Sequence, residues 1–356
     1  MHVPDGFLDV PTSVATGVVA VGAVGLALRK AAPEIKESGP ALPGLVAAFV
    51  FATQMVNFPV GAGTSGHLMG GALAAALVGP WTAVLVMTVV LLIQGVLFAD
   101  GGLTALGTNV SVLGAVTVLA GYLVMAALLR VLPKTRGSVV AASSIGALVS
   151  VPAAALVFTG LYALGGTVDI PTGRVAAAMV GWHTLIGIGE ALITGAVVSA
   201  VLTTRPDLVY VARHLRRDLQ LVDAQGNSRT VAADEVGARP TTRVGRTPVL
   251  AFLAASLVVA GTVSYFASAN PDGLETVAEK FGFTSQDHAL VDSPTADYGI
   301  AGIDNAFLSG GLAGILGVLV TVLVGAGIAW VVRRGARRDD DRAPAGTHDD
   351  TPVGSR

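Results

Sequence analysis

The chain has 356 residues, 53% hydrophobic and only 13% charged, with a mean hydropathy of +0.70 and a formal net charge of −2. Soluble globular chains carry about 25% Asp, Glu, Lys and Arg, so this composition argues against a water-soluble enzyme, and the near-zero net charge gives no case for nucleic acid. Cysteine is absent, which removes disulfides, iron–sulfur clusters and thiolate metal sites.

A membrane-spanning helix needs about 20 mostly apolar residues. In chain order the candidate segments are 10–28, 42–58, 67–78, 80–99, 109–130, 138–164, 175–203, 248–269 and 308–332. The third is too short to cross squarely unless a polar loop folds in beside it. The 45 glycines, with abundant alanine, suit close packing of membrane helices. The expected fold class is an all-α integral membrane protein, a seven-helix bundle followed by two further transmembrane helices.

Basic residues set the orientation. Counting nine spans, 20 of the 22 Lys and Arg fall on one side, in 29–36, 130–136, 204–246 and the tail. Only Arg174 and Lys280 fall on the other. The N-terminus is therefore expected outside and the C-terminus in the cytoplasm. The first twelve residues contain Asp5 and Asp9 and no Lys or Arg, unlike a secretory signal, so Met1 is expected to remain at the outer face. The expected parts are a membrane domain over 1–203, a cytoplasmic linker over 204–246, a two-span domain over 247–332 and a disordered tail over 333–356. The loop 270–307 is long and acidic, and solvation is the default reading for it. Arg outnumbers Lys 18 to 4, a bias of high-GC bacterial genomes that says nothing of function, and the expected location is a bacterial plasma membrane.

Of the six histidines, His214 and His348 read as solvated bystanders. His2 is different. A free α-amine followed by histidine can chelate a metal through the amine, the Met1–His2 amide nitrogen once deprotonated, and the imidazole. The rings formed have five and six members, and one in-plane position stays open. Planar nitrogen coordination suits Ni(II) or Cu(II). The bland alternative is a residue in a frayed end. His67 lies in the Gly-rich run Asn57-Phe-Pro-Val-Gly-Ala-Gly-Thr-Ser-Gly-His67, on the same side as His2. It can supply the fourth nitrogen, or it can simply cap a helix. The candidate metal ligands are thus Met1, His2 and His67.

His183 and Glu190 share a face of the seventh span, seven residues apart. An intramembrane carboxylate faces the bundle interior or a partner, so Glu190 reads as a packing or partner contact, with a proton relay as the alternative. His183 lies well inside its span and is expected apart from His2 and His67. Gln54, Gln94 and Asp100 read as hydrogen-bonding residues, and Asn109 as a helix cap. No G-x-x-x-x-G-K-[ST] or H-E-x-x-H motif is present, so no ATP is expected on this chain and no zinc-protease chemistry is indicated.

Four separated motifs, Met1-His-Val-Pro-Asp-Gly-Phe-Leu8, Gly63-Thr-Ser-Gly-His-Leu-Met-Gly-Gly71, Phe98-Ala-Asp-Gly-Gly102 and His183…Gly189-Glu-Ala191, occur in order. Together they resemble the CbiM/NikM family, the cobalt and nickel substrate-binding components of energy-coupling factor transporters. Residues 247–332, with Pro271-Asp-Gly-Leu-Glu275, resemble the small companion subunit of those systems. The resemblance implies capture of Ni2+ or Co2+ by the Met1 amine, the His2 amide and ring, and His67. It implies a transmembrane coupling subunit and two cytoplasmic ATPase subunits as partners, within membrane lipid. Val3 and Met69 depart from the more frequent Ile and Leu, and neither is a ligand. The competing readings are a proton-coupled metal carrier using Glu190 and His183, and a membrane metalloenzyme, which no motif supports.

Overall fold

The structure is a computed structural model that describes residues 1–215, 219–222, 228–231, 246–287, 290 and 293–342. Helix α1 (Val10–Lys30) starts where Asp9 accepts a hydrogen bond from Thr12 N at 2.9 Å, with Pro11 in its first turn. Short α2 (Ala32–Ser38) and α3 (Ala41–Gln54) follow. A small hairpin, β1 (Phe58–Gly61) with β2 (Thr64–Gly66), leads to α4 (Gly71–Val78) and α5 (Pro80–Leu97). One continuous helical stretch then runs from α6 (Leu106–Asn109) through a π-helical segment, Val110–Val116, into α7 (Thr117–Val131). The long helices α8 (Arg136–Gly165) and α9 (Thr172–Thr204) close the first part. After a β3 (Leu219–Val222) and β4 (Ser228–Val231) hairpin come α10 (Arg246–Gly261), α11 (Gly273–Phe281) and α12 (Ala306–Arg342).

Among the described residues seven helices are long and apolar enough to cross a membrane. The chain is an all-α, multi-pass membrane protein. The second expected segment is a shorter helix than expected, and the third, expected too short to cross alone, is completed by a non-helical stretch. Helix α3 has 14 residues, about 21 Å at 1.5 Å per residue, against a hydrocarbon core of about 30 Å. Helix α4 has only eight. The rest of that depth is taken by residues 64–70, which are non-helical and buried throughout. Irregular backbone at membrane depth persists only where protein surrounds it. Here α4 is buried on every side, as a helix that is apolar all round must be. Gly70, at φ +82°, makes the turn into α4, and a side chain there would strike Val50 Cγ1 at 2.6 Å.

The second part packs directly on the first. A Cβ on Gly44 of α3 would lie 2.7 Å from Ala326 N and Val322 O of α12, so these two backbones touch. Small residues permit that approach, and dispersion contacts then hold the helices together in lipid. Helix α3 is thus sandwiched, with 11 residues buried, and need not meet lipid along its length. Helix α1, by contrast, presents Val10, Val14, Val18 and Val21 outward.

At the end of the bundle away from Met1, Glu34 accepts from Thr82 N at 2.7 Å and Thr82 Oγ1 at 2.8 Å, while Lys30 lies 4.7 Å over the Trp81 ring. Part of the expected linker also belongs to this end. Leu208, Val209, Val211 and Ala212 are buried in the main core, and His214 is half-buried with Nδ1 donating to Val211 O. The apolar run Leu208–Ala212 gives the reason: it has a core to join. The expected disordered tail is helical as far as Arg342, continuing α12. His288, His348 and the remainder of the linker and tail lie outside the described residues.

Candidate metal centre

The first nine residues are fixed by the protein around them. Asn109 clasps the backbone of Val3, accepting from its N–H at 2.8 Å and donating to its C=O at 3.0 Å. That C=O also receives Gly102 N at 2.9 Å. Asp5 accepts from Thr104 N at 2.7 Å, Thr104 Oγ1 at 2.5 Å and Leu103 N at 3.2 Å. A Cβ on Gly102 would stand 2.2 Å from Asp5 N, so only glycine lets the two strands meet. Phe7 is buried edge-on against Phe283, and Asp9 N donates to Gly165 O. Met1 is only 2% exposed. The contacts made by Val3, Asp5, Phe7 and Asp9 hold this segment against the protein, so it is not a frayed end. Asn109 serves as this clasp and caps no helix.

His67 arrives from the opposite side. It lies in the buried, non-helical stretch before Gly70 and caps no helix either. Two side chains grip the backbone just beyond it. Gln54 Nε2 donates to Met69 O at 2.8 Å. Glu190, from α9, accepts Met69 N at 2.5 Å on one oxygen and Gly70 N at 2.9 Å on the other. The His67 Nδ1–H donates to Leu68 O at 3.0 Å, which turns the Nε2 lone pair toward the Met1 amine, 2.7 Å away. With Nδ1–H given to Leu68 O, Nε2 is left as the electron-pair donor of the ring.

The His2 ring lies nearly parallel to that of His67, 6° apart in plane with centroids 5.1 Å apart. Its Nδ1 donates to Asp100 Oδ1 at 2.9 Å, and its buried Nε2 has no hydrogen-bond partner among the described residues. Asp100 also receives the Tyr298 hydroxyl at 2.5 Å, and Tyr298 receives Gln94 Nε2 at 2.9 Å. Burial opposes ionisation of Asp100, but the His2 charge and these two donors prevail and hold its pKa well below the usual carboxylate range. Asp272 contacts the Met1 amine and lies 3.7 Å from His67 Nε2. Its pKa is likewise held low: burial opposes ionisation, but the Met1 ammonium outweighs it.

The site opens to a cavity of about 690 Å³ lined by His2, His67, Asp5, Asp100, Asp272 and Glu275, among others. Among the described residues no three His, Asp or Glu side chains converge as a metal cage. The donors gathered here are one amine and two imidazoles, with the Met1–His2 amide between them. A metal–nitrogen bond of about 2.0 Å places adjacent donors of a square plane about 2.8 Å apart. The 2.7 Å between Met1 N and His67 Nε2 meets that requirement.

Two expectations change. His183 is not remote from the site. Helix α9 has 33 residues, about 50 Å, so its first turns project beyond a bilayer core of about 30 Å and His183, the twelfth residue of the helix, is not at its middle. His183 Cε1 would lie 3.0 Å from a Cβ on Gly273, the neighbour of Asp272. Its Nδ1–H donates to Met179 O at 2.7 Å. The acidic loop 270–307 is docked, not merely solvated. Ser65 N donates to Pro271 O, Asp297 N donates to Phe98 O, and Ser293 and Thr295 hydroxyls both reach Leu97 O. Asp272 and Tyr298 therefore belong to the site although reading the sequence did not place them there. The Asp272-x-x-Glu275 capping pattern was visible, but nothing local indicated what the turn would face. Neither His183 nor Glu190 lines the cavity.

Fold and site together define a multi-pass membrane protein that gathers the Met1 amine and two imidazoles at one buried centre beside an acidic cavity. Residues 2–208 match the cobalt uptake substrate-specific transmembrane region family, and residues 246–334 match the PDGLE domain. The chain belongs to that cobalt uptake family, with a PDGLE domain on the same polypeptide. A relative named as a fused nickel transport protein, NikMN, from Archaeoglobus fulgidus is 32% identical over 91% of this chain and 97% of its own length. A relative named as a metal transport protein from Haloquadratum walsbyi is 38% identical over 59% of this chain and 94% of its own length. A crystal structure described as a transition metal transporter superposes with a TM-score of 0.51 at 31% identity, covering 61% of this chain and 100% of that one.

Proposed function

We propose that this chain captures Ni2+ or Co2+ at the outer face of the plasma membrane and delivers it inward as the substrate-specific component of an energy-coupling factor importer. The observation that carries this reading is the 2.7 Å separation of the Met1 amine from the His67 Nε2 lone pair, with the His2 ring alongside. Met1 N, the His2 amide nitrogen, His2 Nδ1 and His67 Nε2 offer four nitrogens, and planar nitrogen coordination suits Ni(II) and accepts Co(II). The ammonium and the amide each give up a proton when the ion enters; the His2 ring keeps one proton, which passes from Nδ1 to the unpartnered Nε2 as Nδ1 leaves Asp100 for the metal. The amide charge offsets part of the cation's charge in a buried place. The acidic cavity favours a bare hydrated cation over an anionic chelate.

Delivery then requires energy that this chain does not supply. A transmembrane coupling subunit and two cytoplasmic ATPases are the expected partners, and the basic segments mark the cytoplasmic face they meet. Glu190 holds the His67 loop in this account, which leaves it no part in proton relay. The test is uptake of radioactive nickel by cells expressing the chain with and without the coupling ATPases. Uptake that depends on the ATPases and survives a protonophore upholds the reading. ATPase-independent uptake that collapses with a protonophore replaces it with a proton-coupled carrier.

A further inference from the structure

The five residues Pro271–Glu275 act as one device. Asp272 Oδ1 accepts from Leu274 N at 2.7 Å and Glu275 N at 2.9 Å, and Glu275 returns a contact to Asp272 N at 2.7 Å. This capping box starts α11 in a fixed direction. Pro271 O receives Ser65 N at 2.8 Å, which ties the turn to β2, and Leu274 is fully buried. Gly273 rests against α9, where a Cβ would stand 2.9 Å from Ile186 Cδ1 and 3.0 Å from His183 Cε1. All four of these contacts fix the place of one remaining atom. Asp272 Oδ2 takes no part in the cap and is aimed at the Met1 amine.

A buried ammonium is costly unless paired with an opposite charge. Met1 is 2% exposed, and its ion pair among the described residues is with Asp272. We propose that Asp272 is a positioning residue: the second part of the chain uses its free carboxylate oxygen to keep the N-terminal amine of the first part in place for metal capture. The capture half of this inference rests on the function proposed above, whereas the placement of the amine does not.

Asp272→Asn separates charge from capping, because Asn caps helices about as well as Asp. The full chain in detergent, stripped of metal by a chelator, is treated with an amine-reactive reagent, and labelling of Met1 is followed by mass spectrometry. Lys30, Lys36 and Lys134 serve as internal controls. The variant should label at Met1 at least tenfold faster than the unsubstituted chain, with the three lysines unchanged, and should capture Ni(II) at least fivefold more slowly. Gly273→Val, which forces the turn off α9 with the charge intact, should behave the same way. Unchanged Met1 labelling in Asp272→Asn overturns the proposal whatever the metal does. Faster labelling with an unchanged capture rate overturns its functional half. Faster labelling with no Ni(II) bound by either protein upholds the placement and overturns the metal-capture reading instead.

Discussion

Glu190→Gln tests whether an intramembrane carboxylate serves transport or holds the site together. In the structure its two oxygens accept separate backbone N–H groups, Met69 N at 2.5 Å and Gly70 N at 2.9 Å, two and three residues past His67. Gln offers one acceptor in place of two, and its amide NH2 faces the N–H left over. Losing a hydrogen bond to a charged group costs about 1.5–3 kcal/mol, and a buried unsatisfied donor costs about 1–3 kcal/mol. These overlap, giving about 2–4 kcal/mol against the native loop. At about 1.4 kcal/mol per factor of ten, the ceiling on lost metal affinity is on the order of 30- to 700-fold. Relaxation of the loop recovers part of this, so a loss of about tenfold to a hundredfold is expected. The assays are thermal unfolding of the full chain in detergent and Ni(II) titration of the same preparation. Lower stability with weaker binding is the expected pair. Unchanged stability and affinity, with transport abolished, would refute the loop-holding role and return Glu190 to a proton pathway.

Three further outcomes follow from the geometry. Tyr298→Phe removes one of two donors to Asp100, which orients the His2 ring; Ni(II) titration should show about a three- to tenfold loss, corresponding to about 1 kcal/mol for one hydrogen bond, with unfolding temperature little changed. His67 Nε2 already faces the Met1 amine as an acceptor, so the protons displaced by metal come from the Met1 ammonium and the amide; affinity should rise from about pH 6 to 8, and calorimetry in two buffers should find about two protons released per ion, whereas a flat pH profile would contradict the chelate. Gly44→Leu places a side chain against Ala326 N and Val322 O; it should separate α12 from α3, seen as loss of a disulfide engineered across that helix pair and as lower thermal stability.

Much of the fold was legible because the bilayer imposes a strong constraint that long apolar runs satisfy as helices. The lengths of α3 and α4 were not, because an apolar run reads the same whether it is helical or threads through protein as an irregular buried stretch. The site was legible where chemistry is local. An amine followed by His2 carries its chelate rings in the covalent chain, and the glycines before His67 indicated a loop. The parts that were missed are long-range. Asn109 clasps Val3 across 106 positions, and Asp272 reaches Met1 across 271. Neither separation leaves a periodicity or a spacing to read. His183 lies nearer the site than its place in an apolar run suggests, because α9, about 50 Å long, is longer than the membrane core is thick.

The central claim is that Met1, His2 and His67 bind one metal ion through nitrogen. Its most direct test is Ni(II) and Co(II) titration of the purified full chain, with metal content by mass spectrometry, beside His2→Ala and His67→Ala. The account predicts tight one-to-one binding in the unsubstituted chain that both substitutions abolish. Binding of unchanged affinity in His67→Ala would contradict it.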